Sequence, residues 1–141
     1  MLRAHTWVVH GANLIVGGTG LVYGWMRYFA EAEDPFSVVN HPWQPQLQHL
    51  HILSAPVLVF AGGLIWSSHI AHNWRAGSRR GRRTGVTLAA LLAPMILSGY
   101  ALQISVEDSW RTIWMWLHLA TSGLWLLLAI VHPFLPARPR E

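Results

Sequence analysis

The chain has 141 residues, 52% of them hydrophobic and only 11% charged, with a formal net charge of +4, nine Trp, nine His and no Cys. An ordinary soluble domain carries about 25% charged residues, so most of this surface does not face water. The missing Cys excludes disulfides, thiolate metal sites, iron–sulfur ligation and covalent c-type haem attachment.

The first apolar run extends from about Trp7 to Phe29. It is too long for a signal peptide and has no small-residue cleavage site, so it is expected to stay in the mature protein. The link that follows, EAEDPFSVVNHPWQPQ, holds three acids and three Pro and reads as an exposed loop. The second run, from about Leu47 to Trp74, is the longest. The segment RAGSRRGRR then carries five of the ten basic residues, all of which are Arg. These lie between apolar runs and form no domain of their own, so they read as a topology signal and not as a nucleic-acid surface. The third run extends from about Thr84 to Ile104 and the fourth from about Trp110 to Pro133, joined through the short VEDSWR.

Each run approaches the roughly 20 residues needed to cross a hydrocarbon core, and each must be helical because lipid offers the backbone no hydrogen-bond partner. The expected fold is an all-α integral membrane protein: one domain over residues 1–141, a bundle of four transmembrane helices at about 7–29, 47–74, 84–104 and 110–133. The Arg-rich link, with Arg3, Arg138 and Arg140, belongs on the cytoplasmic side, which places both termini inside and the acidic loops outside. Trp7, Trp25, Trp43, Trp74 and Trp110 fall near expected helix ends, as an interfacial aromatic belt requires. A loose internal repeat accompanies this order. GGTGLVYGW in the first run parallels ILSGYALQ in the third, and each is followed by a helix with His near both ends.

The histidines carry the chemistry. On the fourth helix His118 and His132 are 14 residues apart, about 40° around the axis and about 21 Å along it. On the second, His51 and His69 are 18 apart, five whole turns and about 27 Å. Both helices run inward, so His51 and His118 share the outer level and His69 and His132 the inner one. Ionisable groups inside a membrane point to function, and imidazole suits iron among other metals; two facing imidazoles at each level are the axial pair of a haem. His10, on the first helix near the cytoplasmic side, is an alternative to His69. His49 and His72 read as interface residues near the ends of the second helix, and His5 and His41 as solvated. Arg27 and Arg111 outside, and Arg75 inside, are candidates to pair with haem propionates. For Arg75 the topology explanation serves equally. Gly17, Gly18, Gly20, Gly62, Gly63, Gly99 and Gly123 would let a flat macrocycle, or simply a neighbouring helix, approach the backbone.

The WLH118 to VH132 segment resembles the last ligand-bearing helix of bacterial di-haem b-type cytochromes. That group includes cytochrome b561-like proteins and the cytochrome b subunits of respiratory hydrogenases, formate dehydrogenases and thiosulfate reductases. SGYALQ, and His69 followed by HNW, are similar to segments of related four-helix cytochromes, so the resemblance covers roughly residues 5–133. It implies two non-covalent haem b groups, transmembrane electron transfer in the bacterial cytoplasmic membrane, and exchange with quinone or quinol. It also implies a redox partner carrying haem c, iron–sulfur or molybdenum centres. Quinone would react at the outer rim (His41, Asp108, Arg111) or at the inner rim (His72, Arg75). In some members the first helix supplies a ligand, mapping to His10; in others the second supplies two, mapping to His51 and His69. The spacing from His51 to His69 departs from the family's usual 14 residues. Two other function classes remain as alternatives: a His-lined proton or metal transporter, which the near absence of Asp, Glu and Lys from the helix interiors disfavours, and a structural subunit without cofactor.

Overall fold

In the computed structural model, which describes residues 3–77 and 81–135, the regular elements of the described residues are all helical, with no strand. The helices are α1 (Arg3–Tyr28), α2 (Gln44–Ile65), α3 (His72–Arg75), α4 (Arg82–Ile104) and α5 (Asp108–Val131). A π-helical segment, Trp66–Ala71, joins α2 to α3, and a 3-10 turn, His132–Phe134, ends α5. Arg79, Arg80, Arg138 and Arg140 of the topology argument lie outside the described residues.

Three stretches are long and apolar enough to cross a membrane: Gln44–Arg75, Arg82–Ile104 and Asp108–Phe134. The first helix, expected as a fourth span, is long enough at 26 residues but is not among them. Asn13, Thr6, Thr19, two His and five Gly (Gly11, Gly17, Gly18, Gly20 and Gly24) dilute its hydropathy. The apolar side chains point largely outward: Leu14 is 76% exposed, Leu53 74% and Leu97 66%. Such surface would be an association hazard in water, whereas in hydrocarbon it is the natural outer face. Trp7, Trp25, Trp43, Trp74 and Trp110 are exposed close to helix ends, as an interfacial belt would have them.

The chain forms two helical hairpins, one ending at His69 and the other beginning at Ile70. In the first, α1 packs along α2. The covered positions of α2 are Gln44, Ser54, Leu58 and Ala61, and with His51 they form two seven-residue rows (44/51/58 and 54/61), the spacing of a left-handed helix pair. Small residues let the backbones approach: Ala12 and Ala61 are fully covered. Pro45 starts α2, in the first turn where its missing N–H costs nothing. In the second hairpin, α4 packs along α5. His118, Trp125 and His132 recur at seven-residue spacing, and the buried residues are Thr121 and Trp125 on α5 and Met95 and Ser98 on α4. The Trp125 indole N–H donates to the Leu88 carbonyl at 3.1 Å, which ties the two helices together. Pro133 follows His132, cannot continue the ladder and restricts the residue before it, so the regular helix stops there.

Candidate functional site

Three histidines are held by one recurring device. In the first hairpin the His51 Nδ1 lies 3.0 Å from the Val16 carbonyl oxygen and 3.3 Å from the Thr19 hydroxyl. A carbonyl oxygen only accepts, so Nδ1 carries the proton and donates it. Thr19 gives its own proton to the Ile15 carbonyl at 2.7 Å, so its oxygen is a second acceptor for the imidazole. Gly20 completes the cradle: a Cβ there would stand 2.8 Å from His51 Cε1 and 3.2 Å from Nδ1.

The second hairpin repeats the arrangement. His118 Nδ1 donates to the Met95 carbonyl at 3.0 Å and approaches the Ser98 hydroxyl at 3.3 Å. Ser98 spends its proton on the Pro94 carbonyl at 2.6 Å and is wholly buried. A Cβ on Gly99 would sit 3.1 Å from His118 Cε1. In both hairpins the carbonyl, the hydroxyl and the glycine are residues n, n+3 and n+4 of one helix turn (16, 19, 20 and 95, 98, 99). On a helix these spacings share a face, which is why one imidazole meets all three.

His132 has a shorter form of the same seat. Its Nδ1 is 2.8 Å from the Thr84 hydroxyl, which donates to the Gly81 carbonyl at 2.9 Å and therefore accepts from the imidazole. Gly81 is required twice. Its φ of +57° is left-handed, a region costly for a residue with a Cβ, and that Cβ would lie 2.9 Å from His132 Cε1. Gly85 follows at 3.4 Å.

With Nδ1 protonated, the lone pair of the neutral ring belongs to Nε2. A donor bond from the distal ring nitrogen to a backbone or side-chain oxygen is how metal-ligating histidines are usually oriented and made more basic. The donor set therefore fits imidazole ligation of an iron macrocycle through Nε2. Among the described residues no three His, Asp or Glu side chains converge.

The other candidates stand differently. His69 lies inside the π-helical segment, so the straight count of five turns from His51 does not hold. A π turn closes i to i+5 where an α turn closes i to i+4 and so takes up one residue more. Single π turns inside α-helices are frequent at functional sites. His10 is exposed on α1, as are His49 and His72 on their own elements. His5 is half-buried, and its Nδ1 is covered with no hydrogen-bond partner among the described residues. His41 has the opposite tautomer to the three seated histidines: its Nδ1 accepts from the Trp43 N–H at 3.1 Å.

Arg111 donates to the Ser105 carbonyl at 3.1 Å and the Leu102 carbonyl at 3.5 Å. It caps the carbonyl end of α4 and thereby spends one of its amino groups within the protein. Arg75 ends α3 and is exposed. Arg27 lies in the last turn of α1, and its carbonyl accepts from Asn40 at 2.9 Å.

No known protein family, curated protein or solved structure matches the chain.

The supporting residues Thr19, Ser98, Thr84, Gly81 and Gly85 were not assigned roles from sequence. A signal for them exists: the Thr-Gly and Ser-Gly steps at 19–20 and 98–99 recur a third time as Thr84-Gly85, in the first turn of α4.

Proposed function

We propose that this chain is a membrane-embedded b-type cytochrome that spans the bilayer four times, with both termini in the cytoplasm. It binds two haem b groups in the bacterial cytoplasmic membrane and passes electrons between the quinone pool and a protein redox partner. The observation that carries the reading is the recurrence of one seat for His51, His118 and His132, with Nδ1 donating to an oxygen and the lone pair left to Nε2 on helices that lie in lipid. Histidines that merely filled space would not need the same tautomer, fixed by the same pattern, at three separate places.

His51, His118 and His132 would serve as haem ligands, with either His69 or His10 as the fourth. The seat of His69 in a π turn favours it over the exposed His10. Haem b supplies one-electron redox chemistry when bound. The chain's own contribution is to fix each ring's tautomer and rotation, to exclude water with apolar faces, and to set ligand basicity through the Val16, Met95 and Thr84 acceptors. Arg75 and Arg111 remain candidates for the propionates, Arg111 only with the amino groups it does not direct at α4.

The test is the visible spectrum of the detergent-purified protein before and after dithionite, with a pyridine haemochrome assay. The reading expects a sharp Soret and alpha-band shift and about two haem b per chain. A protein that carries no haem when produced under haem-replete conditions would overturn it.

A further inference from the structure

Beyond the histidines, the second hairpin carries one concentration of charge that the electron-transfer reading leaves unused. Trp74, Arg82, Arg83, Val86 and Thr87 line an open groove of about 510 Å³. The groove is at the end of the span Arg82–Ile104, where hydrocarbon gives way to headgroups. The Arg82 guanidinium carbon is 4.9 Å from the centre of the Trp74 ring, close enough for a cation–π contact, which holds its plane and lowers the entropy lost on binding an anion. Arg82 and Arg83 occupy the first turn of α4 with no acid beside them. Two positive charges at the positive end of a helix dipole repel it, so an anion bound there is stabilised by both.

Among the described residues of this hairpin no counter-charge is nearby. No Asp or Glu occurs from Pro35 to Val106. Among the described residues of this hairpin the carboxylates are Glu107 and Asp108, beside the opposite end of α4. The Thr87 hydroxyl donates to the Arg83 carbonyl at 2.9 Å, so the groove's donors toward an incoming group are the guanidiniums, while Val86 and the Trp74 face supply apolar wall. Guanidinium pairs match phosphate oxygens in fork geometry. Basic pockets at the cytoplasmic ends of membrane helices suit lipid headgroups of that kind.

We infer that this groove binds a phosphate-bearing anion, a phospholipid headgroup or free phosphate, with the phosphate on Arg82 and Arg83 and, for a lipid, the first carbons of the chain along Val86 and Trp74. The inference does not depend on the haem reading.

The test uses the full-length protein in a neutral detergent, equilibrated with mixed micelles of phosphatidylglycerol and phosphatidylcholine. Retained lipid is counted by native mass spectrometry. Phosphatidylglycerol is expected to be retained in preference. R82Q/R83Q is expected to lower that retention about thirtyfold, from about fivefold for each basic side chain at an anionic lipid surface, while R82K/R83K keeps most of it. E107Q, at the opposite end of the hairpin, leaves retention unchanged. In a second arm inorganic phosphate is titrated into the lipid-bound protein. Retention that survives phosphate assigns the lipid headgroup; displacement by phosphate assigns the free anion. Should R82Q/R83Q fail to fold, Trp74→Leu and a salt titration of the wild type read the same site, with retention falling in both. Equal retention of the two lipids with no effect of phosphate, or undiminished retention in a folded R82Q/R83Q, would overturn the inference.

Discussion

Gly20→Ala isolates the positioning of a ligand from the stability of its helix. The added Cβ would stand 2.8 Å from His51 Cε1, where ordinary contact begins at 3.4 Å, so the ring must retreat by about 0.6 Å. That retreat is away from α1, which also carries the acceptor. The 3.0 Å bond from Nδ1 to the Val16 carbonyl then stretches to about 3.6 Å, a length at which it no longer counts as a hydrogen bond. Losing a neutral bond costs about 0.5–1.5 kcal/mol. Replacing Gly by Ala within a helix returns about 0.8–1 kcal/mol. Net stability therefore changes little, while the imidazole loses both its place and the bond that fixes its tautomer. On the cytochrome reading, haem b should fall from about two toward one per chain, or the outer haem should shift in potential, with helical circular dichroism unchanged. Gly24→Ala is the control: one turn further along α1, its Cβ would meet nothing within 4 Å, and it should behave as wild type. A Gly20→Ala protein with wild-type haem content, spectrum and both potentials would refute the claim that this glycine seats the ring.

Thr84→Val keeps the shape but removes the acceptor of the 2.8 Å bond from His132. It should weaken haem binding at that level by about 10- to 100-fold, as loss of a ligand's supporting partner does, and Thr84→Ser should restore it; haem titration of the apoprotein is the assay. His69→Ala and His10→Ala should differ, with only the former costing a haem in the pyridine haemochrome count. Trp125→Phe removes the indole donor to Leu88 from a site only 8% exposed and leaves that oxygen one partner fewer. It should lower thermal stability in detergent by about 1–2 kcal/mol with little change in haem content. Arg111→Gln loses the exposed cap on Ser105 and should cost less than about 1 kcal/mol in the same melt; a change in haem potential beyond that would place Arg111 at a propionate.

The helices and their faces were legible in the sequence because lipid permits so few alternatives. A run of about 20 apolar residues in hydrocarbon must satisfy its backbone internally, and the spacing from His118 to His132 puts both on one face of a helix. The structure bears out apolar spans at Gln44–Arg75, Arg82–Ile104 and Asp108–Phe134. For the first helix the sequence expectation exceeded what hydropathy supports, because its glycines and polar residues dilute its apolarity, Gly20 and Thr19 among them where α1 meets α2. His51 sits against Gly20 and Thr19, and that packing is paid for in apolarity.

Composition and helical periodicity by themselves determined that the chain is helical, that its helices are of membrane length, and which histidines lie inside them. Only the tertiary structure decided what each histidine's Nδ1 touches. That depends on a carbonyl 35 residues away for His51 and 23 away for His118, and no local pattern reports such a distance. It also decided the π turn at His69, since a periodicity argument assumes uniform turns and one extra residue changes the face. The tautomer that leaves Nε2 with the lone pair, on which the ligand reading rests, is a property of two helices in contact and not of either one.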